Sequence, residues 1–520
     1  MNPNAPDPFQ TMLKESVHRF LAEYRKGATD FSNFGSIFSR LLQNLPDPPL
    51  EFVWFYSALT FHSAKLTGTA QDDSSKRVSV VKELFQLLVS CSSPCGEPKR
   101  IAMLAPVICE LYCLVLDKKN LNPEVESLLE GLVCYSSICC GAGLEEDDAG
   151  FAGSGFSDVL HAWTVDKIGI GDELRVVFPM VSDGVRKAIR MGCGVGYLAG
   201  VVMCEALLLR LCFKFWLGSG SSRMELEKDV RDSAIHMING FRSFWFLDTL
   251  LKMLLEPNFP FTSLLSSEDE ALLQEVLHDV VIRLGYPFLE PPRGIQLAEK
   301  HLKNLILTWL LVVDTAIHSV REKGNQARAF SYINAFSESC LPSQLIKWVS
   351  IQTITRQKIS KPDASTPVTL LRWLLILEEQ GVRVFDCDIL KLQVKAVICK
   401  SKVECVLPEL KPEGKNLDGK PLFSSSEDVR EEDKFDGDVE MTDSVETALL
   451  LADGMMKTTA TNGTRKRKEG TQDEEEPYFK FVKNHFHESS VREKCSCMGK
   501  DDGFNRSEMD NSVSVKIWKM

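Results

Sequence analysis

Residues 191–217 read MGCGVGYLAGVVMCEALLLRLCFKFWL, and how this stretch is placed decides the fold. Apolar side chains run round every side of a helix drawn through it, and such a helix is buried in a core or in lipid. Gly196 and Gly200 are four apart, so they share a helix face and let a second backbone come close. Gly218 stands where a helix C-terminus takes glycine, and the GSGSS of 218–222 continues as a loop. By length the stretch suits a membrane span, since about 20 apolar residues cross a bilayer. It also carries Glu205, Arg210 and Lys214, and each charge at bilayer depth costs roughly 2.5–3.5 kcal/mol on insertion scales. The expectation is a central helix clamped among other helices. A membrane-associated helical protein spanning at 191–217 is the alternative.

Helical spacing continues outward in both directions. Asp7 and Pro8 suit a cap and a first helical position, and Phe9, Leu13, Val17, Phe20 and Leu21 follow at helical intervals. Further upstream helices fit 31–45, 50–66, 75–91, 99–116, 123–140, 158–168 and 172–191. Downstream, Ser222 with Glu225 and Ser267 with Glu270 match the capping box. The helix after Ser267 is expected to stop at Gly285, with Pro287 beyond. Others fit 240–255, 295–321, 325–339, 342–357, 367–380 and 388–400. Pro342 and Pro367 stand in first turns, and Gly381 at a stop. Almost no run in the first 400 residues shows the period-two alternation of a strand.

The predicted fold class is all-α, with stacked antiparallel helices followed by a disordered C-terminal tail. Helical pairs recur at roughly 40-residue intervals in places, the spacing of HEAT and armadillo repeats. In periodicity and helix length, residues 8–400 resemble a HEAT/armadillo-like solenoid; an irregular helical bundle is the competing arrangement. Four regions are expected. They are an N-terminal helical block (1–140), an acidic, glycine-rich loop (141–158), a central and C-terminal helical block (159–400) and the tail (401–520). The loop holds Glu145, Glu146, Asp147 and Asp148, then Gly150, Gly153 and Gly155.

The chain has 520 residues, a formal net charge of −12 and 44% hydrophobic residues. That excess of acid argues against direct nucleic-acid binding by the body, because phosphate attraction needs surplus Lys and Arg. No basic n-region followed by an apolar h-region opens the sequence. The 16 cysteines are therefore expected as reduced thiols, with Cys109, Cys113, Cys204 and Cys212 acting as small hydrophobes in apolar runs.

In the tail, Arg465, Lys466, Arg467 and Lys468 form a basic cluster between acidic tracts. It resembles a monopartite nuclear import signal, which implies importin as a partner and the nucleus, alongside the cytoplasm, as the location. His485, His487, Cys495 and Cys497 place four zinc-type donors close together, though with tighter spacing than zinc sites use. Gly192, Gly194 and Gly196 imitate a dinucleotide fingerprint, but a helical segment precedes them where that motif needs a strand. His236, His278, Asp279 and Asp314 follow the order of metal ligands in HD-type helical phosphohydrolases. Spacing puts His278 and Asp279 on a flank of the polar side of their helix, where a solvated face is the simpler reading. No catalytic residue, metal or cofactor is assigned. The expected function is a non-catalytic protein–protein scaffold or adaptor that binds other proteins through its helical surface, with no membrane partner. An HD-like metal-dependent hydrolase is a further alternative.

Overall fold

The computed structural model describes residues 8–67, 74–116, 123–140, 150–151, 155–167, 172–220, 222–259, 264–289, 299–353 and 364–404. These residues are almost wholly helical. The N-terminal part holds α1 (Pro8–Arg25), α2 (Ser32–Asn44), α3 (Leu50–Thr67), α4 (Ser74–Cys91), α5 (Glu97–Ala102), α6 (Ala105–Leu116) and α7 (Pro123–Cys139). After β1 (Gly150–Phe151) come α8 (Gly155–Trp163), α9 (Glu173–Val177) and α10 (Asp183–Arg190). Next, β2 (Cys193–Gly194) leads into α11 (Val195–Leu217), α12 (Arg223–Gly240), α13 (Phe244–Leu254) and α14 (Ser267–Arg283). The described chain closes with α15 (Glu299–Glu322), α16 (Gln326–Glu338), α17 (Cys340–Thr353), α18 (Pro367–Glu379) and α19 (Asp388–Glu404).

Packing sorts the helices into two rows. One row runs α5, α11, α13, α15, α18, each touching the next. The second runs α7, α12, α14, α16 in the same way, and α11 with α12, α14 with α15 and α15 with α16 tie the rows together. The N-terminal helices continue the stack, with α3 between α2 and α4. The short α8 folds back onto α1 and α3, and α9 onto α6.

Helix α11 sits inside this stack. Nineteen of its residues are buried, Gly196 to Phe213 without a break, under α5, α6, α7, α12 and α13. It is long and apolar enough to cross a membrane, yet 94% of its most apolar window is covered by the protein's own helices. The two glycines decide how close α13 comes. A Cβ at Gly196 would lie 2.5 Å from the Trp245 indole, and one at Gly200 would lie 2.5 Å from the Trp245 backbone carbonyl. Any side chain there drives the helices apart, which is why the apolar run is broken by glycine at four-residue spacing.

The helix begins four residues later than expected. Gly192 adopts φ +92°, a left-handed conformation that glycine reaches without a Cβ clash, and it stops α10. Cys193 and Gly194 then pair antiparallel with Phe151 and Gly150. The single helix anticipated over 172–191 is likewise two, because Pro179 cannot continue a helix and residues 178–182 form a non-helical strap of bends and turns. Ser182 restarts the chain, its hydroxyl accepting from Val185 N–H. Arg186 donates to the carbonyls of Phe178 and Val181, and Glu205 accepts from Met180 N–H at 3.0 Å. These two buried side chains replace the hydrogen bonds the strap lacks.

The stretch expected as one helix over 99–116 breaks at Met103 and Leu104, between α5 and α6. The Ser222–Glu225 capping box forms as read. The next one shifts by a residue: Ser266, not Ser267, caps α14 by accepting from Asp269 N–H, and Glu270 instead accepts from Phe259 N–H at 2.9 Å. Acidic residues 145–148 and the tail from 405 onward lie outside the described residues.

Candidate functional site

Three regions carry polar chemistry that the sequence singled out or passed over. The first is the His278–Asp279 pair of α14. Both residues are buried, at 5% and 3% exposure, where the spacing had placed them on a solvated flank. The flank exists, but α12 and α16 pack on α14. Those neighbours bring Arg231 and Arg328, and α14 itself adds Arg283. Arg283 lies 3.0 Å from the Asp279 carboxylate, Arg231 of α12 at 3.7 Å and Arg328 of α16 at 3.9 Å. Arg328 also pairs with Glu275, which takes Lys323 at 3.2 Å. Like charges repel strongly where water is scarce, so a divalent cation finds three guanidinium groups already around this carboxylate.

His278 faces elsewhere. Burial pushes its imidazole down to about 4, and its ring is held by the Leu254 carbonyl. The Nε2 atom has no hydrogen-bond partner and borders a void of about 10 Å³ shared with Glu275, Lys323 and Tyr332, about the room of one water. His236 is exposed on α12, and Asp314 lies 3.7 Å from His318. The HD-like order is thus not brought together in space. Among the described residues no group of three or more His, Cys, Asp or Glu is placed to hold a metal.

The second region holds the remaining sequence candidates. Gly192 and Gly194 form the turn into α11, and Gly196 packs on Trp245. That close packing occupies the face a dinucleotide would need. Of the cysteines, Cys95, Cys109, Cys139, Cys140, Cys204 and Cys212 are buried thiols. The basic cluster Arg465–Lys468 and the residues His485, His487, Cys495 and Cys497 lie outside the described residues.

A third region had no motif to announce it. An open groove of about 710 Å³ runs between residues 282–287 and residues 331–341. It forms where two successive helices of one row end side by side. Helix α14 stops at Leu284, whose backbone is extended, because Gly285 and Pro287 follow. Helix α16 stops at Ser339, also extended, and α17 restarts at Cys340. Leu341 and Tyr286 are buried at the base, the Tyr286 hydroxyl donating to Val281 O at 2.8 Å. Arg283 bridges the walls by donating to the Ser331 hydroxyl at 3.2 Å.

Both bordering helices present their C-terminal ends here. The last carbonyls of a helix lack intrahelical donors and carry a partial negative charge, and Glu338 adds a full one. Phe330, 62% exposed, lies four residues before Asn334 and so shares its helix face. The groove therefore combines two negative helix ends with a buried apolar base, and Phe330 is exposed one residue before the lining residue Ser331. Its volume falls in the range of ligand clefts, roughly 300–1,000 Å³. Arg283 and Ser331 are 48 residues apart, a separation no local pattern encodes. The available signals were the paired stops, Gly285–Pro287 and Ser339–Pro342. No family model, curated protein or solved structure matches the chain.

Proposed function

We propose that the helical body is a non-catalytic protein-interaction scaffold, stacked in the HEAT/armadillo manner, that holds an extended segment of a partner in the groove between α14 and α16. The groove at the paired helix ends is the observation that carries this reading. Its two negative helix ends together with Glu338 favour a basic side chain in that segment. Phe330 suits the role of an aromatic anchor, the kind of residue that dominates interface energetics. Repeat arrays commonly bind in this fashion, because stacked helices leave long continuous surfaces. In the same proposal Arg465, Lys466, Arg467 and Lys468 are read by importin, and the body works in the nucleus with a cytoplasmic fraction.

A photo-crosslinking side chain at position 334 tests the groove. It is expected to capture one partner, and that capture is expected to vanish in Phe330→Asp with thermal unfolding unchanged. A partner captured equally well by both proteins would overturn the assignment. For the address, alanines at 465–468 should move a tagged chain out of the nucleus; an unaltered distribution removes that part of the reading.

A further inference from the structure

The thiols of α6 form a cluster that the scaffold reading does not use. Cys109 and Cys113 are one turn apart on α6, with Glu110 between them. Lys167, at the end of the turn after α8, reaches across to this face. Its Nζ lies 3.3 Å from the Cys113 sulfur, 3.5 Å from the Cys109 sulfur and 3.4 Å from Glu110 Oε1. The lysine is held in place: its N–H donates to Thr164 O at 2.9 Å, and its neighbour Asp166 pairs with Lys65 of α3. Cys109 is buried, its sulfur 3.3 Å from Val176 O, whereas Cys113 is partly open to solvent.

We propose that Cys113 is a hydroperoxide-reactive thiolate, that Lys167 is its positioning cation, and that Cys109 closes a disulfide on it. A thiolate, not a thiol, is the nucleophile, and an adjacent ammonium favours that form. The Cys109 thiol beside it and the Lys167 ammonium act against burial and Glu110 to bring Cys113 down to about 7. Its buried partner Cys109 is pushed upward, first by that same contact and then by burial. The titratable groups facing Cys113 are thus Cys109, Glu110 and Lys167. Cys140, just after α7, and Cys212 of α11 are instead pushed up, first by burial and then by nearby acidic groups.

The chemistry balances in two steps. The Cys113 sulfur attacks the terminal oxygen of a hydroperoxide; an S–O bond forms, the O–O bond breaks, and the leaving alkoxide takes a proton from Lys167, which water restores. The sulfur is oxidised to the sulfenic acid and the peroxide is reduced to the alcohol. The Cys109 sulfur then attacks Cys113; an S–S bond forms, the S–O bond breaks, and hydroxide leaves with the Cys109 proton as water. Residues four apart on a helix have Cα atoms about 6.2 Å apart, inside the roughly 4.4–6.8 Å that disulfides span, but their Cβ atoms stand about 5–6 Å apart and must close to about 3.5–4.5 Å. Helix α6 ends three residues after Cys113, so the needed adjustment falls in its last turn.

The experiment uses the full chain, hydrogen peroxide at pH 7 and peptide mass spectrometry. Arg100 and Lys118 put both thiols in one tryptic peptide, so closure reads as a loss of about 2 Da. That loss is expected at least tenfold faster than oxidation of the exposed Cys387 and Cys399. Cys109→Ser is expected to stop at a sulfenic acid trapped by dimedone on Cys113, Lys167→Met to slow oxidation about tenfold, and Lys167→Arg to preserve it. Oxidation of Cys113 at the pace of Cys399, or an unchanged rate in Lys167→Met, overturns the proposal. Should Lys167→Met fail to fold, the pH profile of wild-type Cys113 alkylation decides. A midpoint near 7 supports the proposal, and one at or above that of Cys399 sinks it.

Discussion

Glu205 and Asp279 are both buried carboxylates in the middle of helices, yet the protein treats them in opposite ways. Glu205 lies in the row of α11, and burial outweighs the Met180 N–H bond and the nearby Arg186 to push its carboxyl up to about 8. Asp279 lies in the row of α14, where Arg231, Arg283 and Arg328 surround it. At Glu205 burial favours the protonated carboxyl, whereas the carboxyl of Asp279 is met by cations. The contrast shows that these two sites, on similar helices, solve the same desolvation problem with different chemistry. Two of the three cations come from partner helices and Arg283 from α14 itself; α11 carries a buried charge the same way at Arg210, which pairs with Glu126 and Glu130 of α7.

The largest expected effect breaks the charged row. Asp279→Ala removes the buried carboxylate from among three guanidinium groups. Arg283 is half open to water and Arg231 and Arg328 keep Glu227 and Glu275, so the cost is expected at the low end for a broken buried pair, about 3 kcal/mol. Chemical denaturation of the described body should show that loss; a change below about 1 kcal/mol would mean the cage is solvated. Next is the apolar row. Gly200→Ala places a Cβ 2.5 Å from the Trp245 carbonyl, and relieving that clash is expected to cost about 3 kcal/mol. Gly27, with nothing within 4 Å of its added Cβ but φ +85°, is the control for strain without crowding.

A third change sharpens the contrast by its sign. The folded pKa of Glu205 stands above its ordinary 4.5, so its contribution is fully present below pH 4.5 and is lost as pH rises through about 8. Glu205→Gln is neutral at every pH. It is expected to match the wild type near pH 5 and to exceed it near pH 8, by on the order of 2 kcal/mol. A variant less stable than wild type at pH 8 would show that the acid is charged in the fold. The smallest effect lies on the acid side. Burial holds His62 and His278 down to about 4, below the ordinary 6.5, so the unfolded chain binds protons first and stability falls between pH 6.5 and 4. His278→Gln should flatten that limb by on the order of 1 kcal/mol. An unchanged acid limb would place the ring in contact with water.

Helix content and most stops were legible because caps and breakers are local. Thr366 caps α18, Asn325 caps α16, and Gly381 adopts φ +87° at a helix end. Where the reading slipped, a single residue's effect had been undervalued. Pro179 splits the segment expected over 172–191, and Ser266 takes the cap from Ser267 because its hydroxyl reaches Asp269 N–H. The burial of His278 and Asp279 was hidden for another reason: hydrophobic period sees one helix, while burial depends on what α12 and α16 lay upon it. The groove at Arg283 and Ser331 and the Lys167 contact to Cys113 were hidden likewise, being made by residues 48 and 54 apart.

Sequence alone determined that the described residues are helical, where most of the helices start and stop, and that Gly196 and Gly200 face a close neighbour, because these follow from 3.6-residue spacing and from backbone chemistry within a few positions. Tertiary structure alone decided which neighbour that is, which charges survive burial, and which distant side chains meet. Those outcomes depend on helix packing, and the energy of a buried charge is set by groups brought from elsewhere in the chain.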